Sequence, residues 1–177
     1  MRKTSTILLL IVTYFVIFFL QANVFHGLTI AGVMPNLFVI YILFIGLSAN
    51  VMTGISFGVM GGLIIDLIYG KTIGITALML CVVGYLGAYF DRNFSKENKI
   101  TIIIMVAIST IIFEVGYYAI SSIILKFDVE IFYFVKILLI EVIYNILLTI
   151  LFYPMIQKTS YSIDRTFKKN NILTRYF

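Results

Sequence analysis

Apolar segments about as long as a membrane span fill most of this chain, and this pattern restricts its fold more than any other feature. Hydrophobic residues make up 62% of the 177 residues and charged residues 12%, whereas soluble domains carry about 25% charged residues. One helix needs about 20 apolar residues to cross a bilayer. We therefore predict an all-α polytopic membrane protein. The six predicted spans are 6–25, 35–50, 51–70, 73–90, 100–125 and 133–156.

The spans form one predicted six-helix transmembrane domain over residues 1–157, followed by a basic tail over residues 158–177. Lysine and arginine favour the cytoplasmic side of a membrane. Most of the 13 basic residues fall on one side of this layout, so both termini are expected in the cytoplasm. The basic residues on that side are Arg2, Lys3, Arg92, Lys96, Lys99, Lys158, Arg165, Lys168, Lys169 and Arg175, and those on the other are Lys71, Lys126 and Lys136.

The net charge of +5 is compatible with binding either to nucleic acid or to a membrane surface. Because the positive charges flank apolar segments, we expect anionic lipid headgroups as partners and no nucleic acid. The basic tail either lies along the membrane as a short amphipathic segment or forms a solvated terminus.

Small residues recur at every fourth position in the third predicted span, at Gly54, Gly58 and Gly62. This spacing puts them on one face of a helix. In a bilayer, glycines on one face let another backbone approach closely, and that packing replaces the missing hydrophobic drive. The pattern therefore predicts a helix-packing face.

Asp66 continues the same face and is the one carboxylate on it. A charge in lipid is costly, so we expect Asp66 to face protein or water near the outer end of the span. Gly70 and Gly74 follow, and we predict that they form the turn into the fourth span.

The fourth span offers small residues at Ala77, Cys81, Gly84 and Ala88 as a matching face. Internal packing of the two spans is the favoured interpretation, and a partner's transmembrane helix is the alternative. The predicted packing or partner interface comprises Gly54, Gly58, Gly61, Gly62, Gly84 and Ala88.

Polar side chains within the later spans form a second candidate site. Buried carboxylates need hydrogen bonds or a positive partner, and Lys136 either supplies the charge or extends to the outer surface. The site either binds a ligand, ion or proton or joins helices through polar contacts worth about 1 kcal/mol or less, and we favour the contacts. The predicted buried polar cluster comprises Asp66, Glu114, Lys136, Glu141 and Asn145.

Catalytic signatures are weak in this sequence. Residues 54–58 match the G-x-S-x-G nucleophile motif, but that motif needs a strand before it and a helix after it. His26 is the single histidine, and neither a metal-ligand spacing nor a phosphate-binding loop is present. We predict a noncatalytic protein without a cofactor or metal, and an intramembrane serine hydrolase is a remote alternative.

Several of these features occur together in one known family. Pro35-Asn36-Leu37 opens the second span, a glycine-rich third span ends at Asp66-Leu67-Ile68-Tyr69-Gly70, and Gly84-Tyr85-Leu86-Gly87 precedes a basic loop. With Glu114 and Asn145 in later spans, the chain resembles the MreD family of bacterial rod shape-determining proteins.

The resemblance implies a noncatalytic subunit of the cell-elongation machinery in the bacterial cytoplasmic membrane. Members of this family associate with the bitopic protein MreC. Together they link MreB filaments to the glycosyltransferase RodA and its transpeptidase partner. The family is also similar in fold to the substrate-binding subunits of energy-coupling-factor vitamin transporters.

A vitamin-binding subunit of such a transporter is therefore the alternative function. The acids expected in the outer half of the membrane favour it. The absence of tryptophan and of an Ala-x-x-x-Ala motif in the first span argues against it.

Overall fold

The computed structural model describes residues 3–69, 72–94, 98–126 and 130–167 of the chain. Within these ranges the structure is helical, apart from turns and an isolated bridge between Ile30 and Val33. The helices are α1 (Lys3–Phe19), α2 (Leu37–Ser48), α3 (Val51–Tyr69), α4 (Ile75–Asn93), α5 (Lys99–Leu125) and α6 (Ile131–Phe167), and α1 continues into a π-helical turn, Leu20–Val24. Predictions for Gly70 and for the basic residues Arg2, Lys71, Lys96, Lys168, Lys169 and Arg175 lie outside the described residues.

The described chain contains five helices long and apolar enough to cross a membrane. The prediction of an all-α polytopic membrane protein is confirmed at this level. The helix that corresponds to the second predicted span, α2, has 12 residues and is about 18 Å long, well short of the roughly 30 Å core of a bilayer. Six spans therefore remain a prediction. The five long segments are Lys3–Val24, Val51–Tyr69, Ile75–Asn93, Lys99–Leu125 and Ile131–Tyr161.

The short helix α2 lies at the centre of the bundle. It packs against all five other helices, and ten of its 12 residues are buried. Its side chains are apolar around the whole circumference, as expected for a helix enclosed by protein. Ile42 and Leu43, for example, are fully inaccessible to solvent. The core of the protein is therefore built around α2.

The small-residue face of α3 lies against α4. A Cβ atom at Gly54 would sit 2.7 Å from the carbonyl oxygen of Gly84 and 3.0 Å from the Cα of Gly46. Cβ atoms at Gly58 and Gly62 would overlap the backbone of α4. Larger side chains at these three positions would force the helices apart. The facing positions on α4 are Thr76, Ala77, Leu80, Cys81 and Gly84.

A second close approach joins α4 to α2. A Cβ atom at Gly46 would lie 3.0 Å from the Cα of Gly87 and 3.1 Å from the backbone nitrogen of Ala88. Gly87 in turn faces the backbone of Leu43. The spacing pattern did not predict Gly46 and Gly87 as interface residues. Since α4 carries small residues on two faces, it holds α2 and α3 together.

Gly61 serves a different contact from its neighbours on α3. A Cβ atom there would lie 2.7 Å from Cε2 of Tyr14 on α1. The Tyr14 hydroxyl donates a hydrogen bond of 2.7 Å to the carbonyl oxygen of Gly61. Because Gly61 has no side chain, the Tyr14 ring approaches α3 closely enough for its hydroxyl to reach the backbone of that helix.

The last helix extends well beyond the predicted span and continues through Pro154 to Phe167. The first part of the predicted basic tail is therefore helical. Ser160 shares a hydrogen bond of 2.6 Å with Ser48 at the end of α2, and Thr6 of α1 donates one of 3.3 Å to Thr166. This part of α6 packs against the ends of α1 and α2, whereas residues 168–177 lie outside the described residues.

Candidate functional site at the start of the central helix

The beginning of α2 is held by an asparagine on α6. Oδ1 of Asn145 accepts a hydrogen bond of 2.8 Å from the backbone N–H of Asn36. Its Nδ2 donates to Oγ1 of Thr110 on α5 at 3.1 Å. Asn145 is fully buried, and its amide is paired on both sides, as buried polar groups require. One side chain therefore ties α2, α5 and α6 together.

Gln21 holds the same helix start from the other side. Its Nε2 donates to the carbonyl oxygen of Pro35 at 2.7 Å, and its Oε1 accepts from the backbone N–H of Leu37 at 3.1 Å. Gln21 lies in the π-helical turn after α1, and such turns are frequent at functional sites. Gln21 was not among the predicted site residues. A lone glutamine at the end of the first apolar run was the available signal.

Two carboxylic acids meet beside this helix start. Glu114 on α5 and Glu141 on α6 interact with each other, and each interacts with the side chain of Asn36. Glu141 is 6% exposed, and its Oε1 has no hydrogen-bond partner in the described part of the chain. A buried carboxyl oxygen without a partner costs free energy, and a buried acid reduces that cost by becoming neutral.

A pocket of about 230 Å³ lies next to the acid pair. It is formed by α2, α3, α4 and α5 and is partly open. Its polar lining residues are Asn36, Thr76, Glu114 and Tyr117, and its aromatic walls include Phe38 and Phe113.

Asp66 belongs to a separate structure, the cap of α4. Its carboxylate accepts hydrogen bonds from the backbone N–H groups of Gly74 at 2.8 Å, Thr76 at 3.3 Å and Ala77 at 3.2 Å. Asp66 is 2% exposed. A negative charge at the positive end of a helix dipole, bonded to otherwise unpaired N–H groups, is a stabilising arrangement. Gly74 has φ +104°, which favours glycine in this turn.

The five residues predicted as one polar cluster thus lie at three separate places in the structure. The structure brings Glu114, Glu141 and Asn145 together around Asn36, and it puts Asp66 at the start of α4. Lys136 is exposed. No ion pair joins Lys136 to an acid within the described ranges, because α6 turns this side chain away from the core.

The predicted G-x-S-x-G motif lies entirely within α3, and Ser56 is exposed on that helix. A nucleophile elbow needs a strand before the serine and a helix after it. The geometry of that motif is therefore not formed around Ser56.

The family model described as rod shape-determining protein MreD matches residues 1–160 of the chain. No curated protein and no solved structure matches it.

Proposed function

This chain belongs to the MreD family of rod shape-determining proteins, and we propose that it is a noncatalytic scaffold subunit of the bacterial cell-elongation complex. In this function it resides in the bacterial cytoplasmic membrane and supports lateral peptidoglycan synthesis, which maintains the rod shape. The family match over residues 1–160 is the observation that carries the proposal.

The packing of the bundle supports a scaffold function. The close contacts among α2, α3 and α4 are made backbone to backbone, so these helices have little freedom to move relative to one another. Because Gly54, Gly58 and Gly62 already face α4, a partner's transmembrane helix is expected to bind another surface. A rigid core, in which α4 covers the small-residue face of α3, suits a protein that holds other subunits in position.

The proposed direct partner is an MreC-like bitopic membrane protein. Through it, the complex would connect to MreB filaments on the cytoplasmic side and to RodA with its transpeptidase partner. In the proposed orientation both termini are cytoplasmic, and the basic residues there bind anionic lipid headgroups.

Copurification tests this proposal. An affinity-tagged full-length chain, extracted from membranes of its own host in mild detergent, is expected to retain an MreC-like protein. A tagged polytopic membrane protein of similar abundance serves as the control and should not retain it. A chain that accumulates normally but comes without the MreC-like protein would contradict the proposed partnership.

The pocket beside α2 is the feature on which a second candidate function rests, the small-molecule binding subunit of an energy-coupling-factor vitamin transporter. Its volume of about 230 Å³ is below the roughly 300–1,000 Å³ of typical ligand pockets, which makes a vitamin a poor fit. Uptake of labelled vitamins separates the two functions. Clean deletion that abolishes uptake of one vitamin and leaves rods unchanged would favour the transporter subunit.

A further inference from the structure

Two hydroxyl groups on the outside of the bundle have no hydrogen-bond partner in the described part of the chain. They belong to Ser56 on α3 and Tyr85 on α4, and both side chains are exposed. Exposed hydroxyls elsewhere, such as those of Thr13 and Ser122, donate to a carbonyl oxygen of their own helix at 2.9 Å. The helices α3 and α4 therefore carry polar groups that the folded chain leaves unpaired.

Both hydroxyls belong to membrane-spanning helices and lie at similar depth. Each residue adds about 1.5 Å along a helix, so Ser56 lies about 8 Å from the start of α3 and Tyr85 about 12 Å from the end of α4. The two helices run in opposite directions with Gly54 against Gly84, so these two ends lie on the same side of the bundle. Lipid tails offer no hydrogen bonds, and an unpaired hydroxyl among them costs free energy. A protein partner that bonds both groups would remove that cost.

The two hydroxyls share one continuous surface, which we call the α3–α4 external face. Helix α3 packs against α2 and α4, and α4 packs against α2, α3 and α5, so the exposed sides of α3 and α4 adjoin. The exposed side of α5, by contrast, is apolar at Ile104, Ile108 and Ile111, as a surface against lipid should be. The residues of the α3–α4 external face are Met52, Ser56, Met60, Leu63, Leu67, Leu78, Tyr85 and Tyr89.

The α3–α4 external face is complementary to itself in depth and in hydrogen bonding. Two copies inserted in the same orientation are related by a two-fold axis along the membrane normal, which puts groups of equal depth opposite each other. A hydroxyl both donates and accepts, and the face carries one on each of its two helices. We propose that two copies of this chain bind through this face, with the Tyr85 hydroxyl of each copy donating to Oγ of Ser56 in the other.

The apolar residues around the two hydroxyls suit such a contact. Met52 and Met60 are exposed on α3, and methionine side chains are flexible enough to fill an irregular interface. The dimer goes beyond the scaffold function proposed above and does not depend on it. It leaves the exposed sides of α1, α5 and α6 for other subunits.

Single-molecule photobleaching of the purified, labelled full-length chain in liposomes tests the dimer, because no other protein is there to bridge two copies. The share of two-step events should rise with the protein-to-lipid ratio as a monomer–dimer equilibrium requires. Tyr85→Phe and Ser56→Ala each remove only a hydroxyl, and each should weaken dimerisation roughly tenfold because the dimer loses two symmetric bonds. Tyr133→Phe, at an exposed residue near the start of α6, is the control and should dimerise normally.

Cross-linking in membranes tests which face is used. Copies with Ser56→Cys are coexpressed with differently tagged copies with Tyr85→Cys, both lacking the native cysteine through Cys81→Ala. The short thiol cross-linker 1,2-ethanediyl bismethanethiosulfonate is expected to give a product that contains both tags. Ile108→Cys in place of Ser56→Cys is the matched control, because this exposed α5 residue lies about 14 Å from the start of its helix and should give little product.

Three results would overturn the proposal. The first is a monomer at every protein-to-lipid ratio, which would leave the face to lipid or to another protein. The second is dimerisation of Tyr85→Phe and Ser56→Ala as tight as that of the unsubstituted chain. The third is cross-linking through Ile108→Cys as strong as through Ser56→Cys.

Discussion

The Asp66 carboxylate on α3 accepts a hydrogen bond of 2.8 Å from the backbone N–H of Gly74, the residue that precedes α4. This contact joins the last turn of α3 to the start of α4. A single buried acid therefore caps the start of α4. The capped helix α4 packs against both α2 and α3.

Removal of this cap should destabilise the fold. Asp66→Ala leaves three backbone N–H groups at the start of α4 without their acceptor, and we expect a loss of about 1–2 kcal/mol in the free energy of unfolding. Asp66→Asn keeps one acceptor oxygen and should lose less. Thermal unfolding in detergent measures both, with Glu130→Ala at an exposed acid as the control. Equal midpoints for Asp66→Ala and the unsubstituted chain would refute the capping role.

The close contact of α3 with α4 should tolerate no side chain at its centre. A Cβ atom at Gly58 would overlap the backbone of Leu80 and Cys81. We therefore expect Gly58→Ala to cost about 1–3 kcal/mol and Gly58→Leu to abolish accumulation in membranes. Gly27→Ala is the matched control, because its Cβ would lie at an ordinary 3.6 Å from the Val24 carbonyl oxygen. Quantitative immunoblotting of membranes and thermal unfolding provide the measurements, and normal accumulation of Gly58→Leu would show that the interface is not tight.

Gly61 and Tyr14 should be energetically coupled. Gly61→Ala would push against the tyrosine ring at 2.7 Å and weaken the hydrogen bond that ring makes. We expect it to destabilise the chain by about 1–2 kcal/mol, and by much less in a Tyr14→Leu background. A double-mutant cycle of unfolding free energies measures the coupling. Additive effects of the two substitutions would mean that the ring does not lie against Gly61.

Asn145 should be the most sensitive polar residue around α2. Asn145→Leu leaves the partly buried N–H of Asn36 without its acceptor, and we expect a loss of about 1–3 kcal/mol. Thr110→Val removes only the hydroxyl at the other end of the amide and should cost less. Both can be compared by unfolding in a denaturing detergent titration. If Thr110→Val proves as damaging as Asn145→Leu, the contact with Asn36 is not the main one.

Periodicity in the sequence predicted the helices and the shared face of the α3 glycines. The four-residue spacing of Gly54, Gly58 and Gly62 is enough to align them, and lipid leaves packing as the main use for such a face. Periodicity could not identify Gly46 and Gly87. Gly46 is the one glycine of α2, and the importance of both residues comes only from the crossing of α2 and α4.

The polar contacts were harder to predict because their partners are distant in the chain. Asp66 was expected to avoid lipid, but its donors follow a turn whose geometry the local sequence does not determine. Gln21 was missed because its bonds to Pro35 and Leu37 depend on a π-helical turn. Lys136 was considered as a partner for the acids because of its depth, yet the rotation of α6 about its axis exposes it. The depth of a residue in the membrane follows from its position in the sequence, whereas the rotation of a helix about its own axis follows from how that helix packs.

The shape of cells that lack this chain tests the central claim most directly. The measurement is the length-to-width ratio after clean deletion, with expression of the unsubstituted chain from a second locus as the control. The scaffold account predicts rounded cells with a ratio near one and a return to rods on complementation. Rods of normal width after deletion would contradict it.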